Sequence, residues 1–172
     1  MSLSEVLKTY YPEYRRESPL PPELLELCVG FLIEEKKEYH PNGQLVSQGI
    51  YVNGEKHGEW KKWRNDGQLR SQGTFVNGKE HGEWKSWWVN GQLMFQENYV
   101  NGEKHGEWKS WWVNGQLMRQ GTFVNGKEHG EGKGWYENGY FKYRKSYVNG
   151  CLDRTIESWI FTHRVSGRNI AR

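Results

Sequence analysis

One period governs this chain. The block HGEWKSWWVNGQLM fills His81–Met94 and recurs letter for letter at His105–Met118, 24 residues further on. A partial copy stands one period earlier at His57–Trp63, and another one period later at His129-Gly130-Glu131. A period of this length belongs to stacked-repeat architectures, in which each unit buries its surface only against its neighbours. That constraint outranks any local motif.

Each unit carries two turn signals. Asn-Gly or Asp-Gly pairs occupy 42–43, 53–54, 66–67, 77–78, 90–91, 101–102, 114–115, 125–126, 138–139 and 149–150, with spacings that alternate between 11 and 13. Such pairs between apolar-rich runs are the strongest short-range hairpin signal, because a type I′ turn needs positive φ at both central residues. The expected fold is all-β: an elongated, single-layer antiparallel meander of 24-residue double-hairpin units, about ten or eleven strands, with a short helical N-terminal cap.

Within the units, Leu45, Leu69, Leu93, Leu117 and Phe141 share one position, and Tyr51, Phe75, Tyr99, Phe123 and Tyr147 share another. Six residues apart on a regular strand, the two series are expected on one face. Gly49, Gly73 and Gly121 lie between them and leave the backbone bare for a neighbouring ring. Trp60, Trp84 and Trp108 form one series, and Trp63, Trp87, Trp111, Trp135 and Trp159 a second, three residues later. That offset sends the two series to opposite faces unless a bulge intervenes, so aromatic ladders are expected on both, with a repeat of about 9.5 Å. Charges alternate in sign from unit to unit, as Glu55-Lys56, Lys79-Glu80, Glu103-Lys104 and Lys127-Glu128, which avoids a column of like charge.

The chain divides into a helical cap at 1–35, the array at 36–150, and a degenerate capping strand with a basic tail at 151–172. In the cap, Leu3, Val6, Leu7, Tyr10 and Tyr11 have helical spacing, and Pro21-Pro22 open a second helix with Leu24, Leu25, Leu27, Cys28, Phe31 and Leu32 on one face. The phrase PLPPELLELCVGFL, at 19–32, resembles the opening helix of an F-box, but the repeats begin too soon for a whole one. Covering the open edge of the first strand is the simpler role. At the other end, Thr155 to Val165 reads as a final strand, apolar on both faces, that should be covered by its own tail or by another subunit. Phe161, Arg164, Arg168 and Arg172 are therefore candidate assembly contacts.

Composition excludes several functions. The net charge of +3 comes from 24 basic and 21 acidic residues that are interspersed, whereas nucleic-acid binding calls for a basic stripe. Two cysteines make no disulfide framework, no apolar run reaches membrane-spanning length, and the N-terminus lacks signal-peptide features, so a soluble, intracellular, cytoplasmic protein is expected. The column His57, His81, His105 and His129 repeats at about 9.5 Å, too far apart for one metal ion whose ligand bonds are about 2 Å. Glu59, Glu83, Glu107 and Glu131 also repeat, and catalysis needs a unique constellation. No enzyme activity, metal, cofactor or small-molecule substrate is expected. A single-layer sheet cannot cover both its faces, so Trp63, Trp87, Trp88, Trp111, Trp112, Trp135 and Trp159 are candidate partner-binding aromatics.

The run Tyr-Val-Asn-Gly-Glu-Lys-His-Gly-Glu-Trp, followed by an aromatic residue and a second Asn-Gly, resembles the MORN repeat. The likeness is to the variant found in bacterial antitoxin-labelled proteins and in repeat proteins of large DNA viruses, and it runs from Tyr39 to Gly150. The pattern breaks at Gly132, which stands where Trp60, Trp84 and Trp108 stand, and again from Cys151. The resemblance implies an elongated single-layer sheet that binds other proteins. The expected role is a non-catalytic scaffold in a multi-subunit assembly such as a virus shell, with location in a virion. The alternatives are an antitoxin that occludes a partner enzyme and a weakly membrane-bound, lipid-binding adaptor.

Overall fold

The computed structural model describes residues 32–158. The expected N-terminal helices, Trp159, Phe161, Arg164, Arg168, Arg172 and the basic tail lie outside the described residues. Within them the chain is one antiparallel sheet: β1 (Ile33–Tyr39), β2 (Leu45–Val52), β3 (Glu55–Trp63), β4 (Leu69–Val76), β5 (Lys79–Trp87), β6 (Leu93–Val100), β7 (Glu103–Lys104), β8 (Gly106–Trp111), β9 (Leu117–Val124), β10 (Lys127–Trp135), β11 (Phe141–Val148) and β12 (Cys151–Ser158). The strands pair in chain order, with the short β7 paired to β6 beside β8. No helix occurs among the described residues. The first strand takes in residues 33–35, which the sequence had assigned to the cap.

The ten turns are of two kinds, where the dipeptides alone had pointed to one. Asn53, Asn77, Asn101, Asn125 and Asn149 have φ near +50°, and each is followed by a glycine of positive φ, which makes five type I′ hairpins. At the other five only the glycine is left-handed. There Gly43 N–H donates to His40 O at 2.9 Å and His40 N–H to Gln44 O at 2.7 Å, and the pattern repeats at 64–68, 88–92, 112–116 and 136–140. These are type I turns closed by a left-handed glycine, a longer loop that Asn-Gly serves equally well. Left-handed backbone costs a residue with a Cβ about 1–2 kcal/mol unless a short polar side chain compensates. Replacing Asn101 by Val is therefore expected to destabilise the protein by about that amount and Asn101→Gly hardly at all, as chemical denaturation would measure.

Both edges of the sheet are tied lengthwise. Along the type I′ edge, the N–H of Gly78, Gly102, Gly126 and Gly150 donates to the carbonyls of Lys56, Glu80, Lys104 and Glu128 at 2.8–2.9 Å. Along the other edge, Asn42, Asn90 and Asn114 donate through Nδ2 to the carbonyls of Asn65, Val113 and Glu137. Every unit is thereby bonded to the next through its turns as well as its strands.

Two irregularities per unit decide which side chains share a face. Opposite Gly49, the three residues Gly58, Glu59 and Trp60 fit between the pairs Ile50↔His57 and Gln48↔Lys61, with Gly58 at φ +69°. Further on, Lys62 pairs with Ser71 but Trp63 with Leu69, so Arg70 is an extra residue on β4. A one-residue slip sends side chains to the other face. Leu69 therefore faces the same way as Trp63 and opposite to Phe75, and the expectation of one face for the Leu and Tyr/Phe series is corrected. The same slip recurs before Trp87, Trp111 and Trp135.

Candidate interaction site

One face carries a continuous aromatic file. Ring centroids follow one another as Tyr51 to Trp60 at 5.3 Å, Trp60 to Phe75 at 6.0 Å, Phe75 to Trp84 at 5.0 Å and Trp84 to Tyr99 at 6.3 Å, all edge-to-face. Contacts of this geometry each contribute about 0.5–1.5 kcal/mol beyond burial. The Trp rings also lie flat on glycine. A Cβ on Gly49 would stand 2.2 Å from Cδ2 of Trp60, and one on Gly73 would stand 2.1 Å from Cδ2 of Trp84. Each indole N–H then reaches a backbone carbonyl, Trp60 to Ile50 and Trp84 to Thr74, both at 3.2 Å. Lys56 Nζ lies 4.5 Å from the centre of the Trp60 ring, adding a cation–π contact.

The file changes after Tyr99, and two departures from the repeat account for it. Glu97 occupies the glycine position of the third unit, so Trp108 has no bare backbone behind it. Glu97 is held instead by the hydroxyl of Tyr99 at 3.0 Å and by Lys104 Nζ. Burial, and then the Glu97 carboxylate, push the Tyr99 phenol well above its usual range. Trp108 leans on Gly121, with Nε1 2.9 Å from where a Cβ would be, and makes only a tilted contact with Phe123. Its N–H is buried without an acceptor. The second departure is Gly132, so Gly121 is covered by Trp108 of the preceding strand and not, as Gly49 and Gly73 are, by an indole of the following one.

The opposite face is mainly polar, with Glu59–Lys61, Glu83–Lys85, Glu107–Lys109 and Glu131–Lys133 ion pairs in a row. A hollow of about 240 Å³ lies against Glu107, Lys109, Gln120 and Glu131. Since these residues have counterparts in the other units, it holds no unique chemistry. Among the described residues no group of three or more His, Cys, Asp or Glu is placed to hold a metal ion, and no helix is long and apolar enough to cross a membrane.

Two histidines of the column, His57 and His105, sit against the turn of the next hairpin. Asn77 N–H and Asn125 N–H approach Nδ1 of His57 and His105, each at 3.5 Å. Burial depresses the His57 pKa below its ordinary 6.5, against a smaller opposing effect from Asn77. The unfolded chain then binds the proton more readily, so stability is full above 6.5 and is lost as pH falls through the folded value. The melting temperature is expected to drop between about pH 7.5 and about pH 5, with a smaller drop in His57→Gln.

The candidate aromatics are distributed along one edge. Trp63, Trp87, Trp111 and Trp135 are half-buried and pair with Leu69, Leu93, Leu117 and Phe141. Trp88 and Trp112 are committed to the fold, since their N–H groups donate to the carbonyls of Trp111 at 3.0 Å and Trp135 at 3.3 Å. Arg64 does the same to Trp87 O at 2.6 Å. Beside them the sequence reading missed four exposed hydrophobic residues: Val89 at 62%, Val113 at 48%, Tyr136 at 42% and Tyr140 at 67%. Their position next to each glycine turn was the available signal. Together these residues make an apolar strip along the type I edge.

The MORN repeat variant family matches at 35–53, 56–77, 80–101 and 104–125, four tandem units that span just over half the chain. The chain belongs to this family. MORN repeats mediate protein or membrane interaction and are a non-catalytic repeat family. No curated protein matches the sequence. Similar solved structures include the crystal structure of TarM, at 15% identity and TM-score 0.35 over 73% of this chain and 26% of the other. Another is an S. aureus TarM mutant in complex with Fondaparinux, alpha-GlcNAc-glycerol and UDP, at 14% and 0.36 over 73% and 27%. The chain thus spans about a quarter of either protein.

Proposed function

We propose that this protein is a non-catalytic scaffold that docks other proteins along its type I turn edge, as a component of a larger assembly such as a virus shell. The observation that carries this reading is the strip of exposed Val89, Val113, Tyr136 and Tyr140 beside half-buried Trp87, Trp111 and Trp135. Contiguous exposed apolar surface of this kind serves protein interfaces. Trp60 is the only buried hydrophobic residue among the described ones, so the other rings keep part of their surface exposed.

Tagged protein purified from its native cells is expected to bring down a stoichiometric protein partner that a Val89→Asp/Val113→Asp variant with unchanged melting temperature loses. Recovery of a large assembly fits the scaffold, whereas a single enzyme would replace it with the antitoxin-like reading. Partners that ignore the substitutions would overturn the docking edge. Lipid is the weaker candidate, because the lysines of the polar face are already paired with glutamates. Flotation with anionic liposomes is accordingly expected to recover little protein, and strong recovery that falls with salt would favour the membrane adaptor.

A further inference from the structure

We propose that Trp63, Trp87, Trp111 and Trp135 form a ribbon that binds a proline-rich segment of a partner protein in the polyproline II conformation. The inference rests on the protein-docking reading and adds the partner's chemistry. The tryptophans differ in what their indole N–H groups do. Those of Trp60, Trp84, Trp88 and Trp112 donate to backbone carbonyls of the sheet. Those of Trp63, Trp87, Trp111 and Trp135 have no acceptor among the described residues, and unlike that of Trp108 each is open to solvent although its ring is half-buried. The repeat thus presents a row of unused donors.

Each of these indoles ends a strand and stands beside the leucine or Phe141 that pairs with it. One indole lies two strands from the next, so the donors recur about every 9.5 Å across the sheet. That interval decides among the forms a bound chain can take. A polyproline II helix turns once in three residues of about 3.1 Å rise, so it presents the same side about every 9.3 Å and stays within about 0.6 Å of the row from the first indole to the fourth. An extended strand repeats every two residues, about 6.7 Å, and is out of step at the second indole. Seven residues of α-helix rise about 10.5 Å, a mismatch that grows to about 3 Å over the same length.

Chemistry favours the same occupant. Polyproline II makes no internal hydrogen bonds, so its carbonyls are all free to accept, and every third one lines up with a tryptophan N–H. Donor dipoles then face acceptor dipoles along the whole ribbon, an electrostatic match that an α-helix, whose carbonyls are engaged internally except at its C-terminal end, does not offer. Proline adds two things: it holds the conformation before binding, and it packs its ring on the indole faces. The segment needs no charge, since Lys61, Lys85 and Lys133 beside the ribbon are already paired with Glu59, Glu83 and Glu131. The ribbon also continues into the docking edge, because Val89 and Val113 lie two residues beyond Trp87 and Trp111.

The test uses the full chain with its tryptophans labelled with nitrogen-15, each indole signal being assigned through a single Trp→Phe substitution. The probes are acetylated peptide amides of two, three and four Ala-Pro-Pro triplets, with four Ala-Gly-Gly triplets as the control. The proline peptides are expected to shift the Trp63, Trp87, Trp111 and Trp135 signals saturably and to leave those of Trp60 and Trp84 in place. Affinity should rise several-fold with each triplet, because each brings one more carbonyl to one more donor. Trp111→Phe, which keeps a ring and removes a donor, should weaken the longest peptide several-fold. Equal affinity for two and four triplets, equal shifts at Trp60 and Trp84, or equal binding of the glycine peptide would each overturn the ribbon. The chain's own Pro19 and Pro22, outside the described residues, have the same three-residue spacing. Binding that appears only in Pro19→Ala/Pro22→Ala would assign the ribbon to this chain's own segment and overturn the partner. If no proline peptide binds while a native partner still depends on Val89 and Val113, the ribbon falls and the docking edge stands.

Discussion

Replacing Trp60 with alanine is expected to lower the unfolding free energy by about 3–5 kcal/mol, the range for deleting a buried tryptophan. Trp60 is 5% exposed, touches Tyr51 and Phe75 edge-to-face, covers Gly49 and donates to Ile50 O, so one substitution removes four contributions at once. A domain of ordinary stability has about 5–15 kcal/mol in total. Urea denaturation followed by far-ultraviolet circular dichroism measures the loss. A loss under about 1 kcal/mol would mean that strand pairing alone holds the sheet. Val113→Ala, at a site 48% exposed, supplies the comparison and should leave stability nearly unchanged.

The second large effect comes from adding one carbon. Gly73→Ala places a methyl 2.1 Å from Cδ2 of Trp84, so the indole or the strand must move. Overpacking of this kind costs about 1–3 kcal/mol or more. The cost depends on the ring, which makes the effect of the double substitution diagnostic. Once Trp84→Ala has removed the indole, the methyl at residue 73 has room, and the double variant is expected to be clearly less destabilised than the sum of the two single ones. Additive losses would show that Gly73 acts through backbone freedom and not as the seat of the ring.

Much of the fold was legible because its causes are local and repeated. The period, the alternating turn spacing and the two tryptophan series read directly as a meander, and the three-residue offset between Trp60 and Trp63 already required the two series to part or a bulge to intervene. What escaped were effects of pairing. Asn-Gly suits both hairpin types, and only the loop length around it separates Asn53 from Asn42. The extra residue at Arg70 can be recognised only once β3 and β4 are in register, so the face of Leu69 was misread. Gly132 was noted as a departure, but its connection to Glu97, three strands away in the sheet, appears only when Trp108 is seen leaning on Gly121. At the candidate site, the tryptophans drew the reading because of their size. The structure instead commits the N–H groups of Trp88 and Trp112 to the edge ladder and leaves Val89, Val113, Tyr136 and Tyr140 outermost, since side chains at the tips of hairpins have no strand beyond them to cover them.

The docking edge is tested most directly by photo-crosslinking in native cells, with benzoylphenylalanine placed singly at Val113, at Tyr140 and, on the polar face, at Gln72. Mass spectrometry then identifies what each position touches. Protein adducts from Val113 and Tyr140, the same protein from both and little or none from Gln72, are the predicted result. Adducts to lipid, or equal protein adducts from all three positions, would contradict the assignment of this edge as the surface through which the protein works.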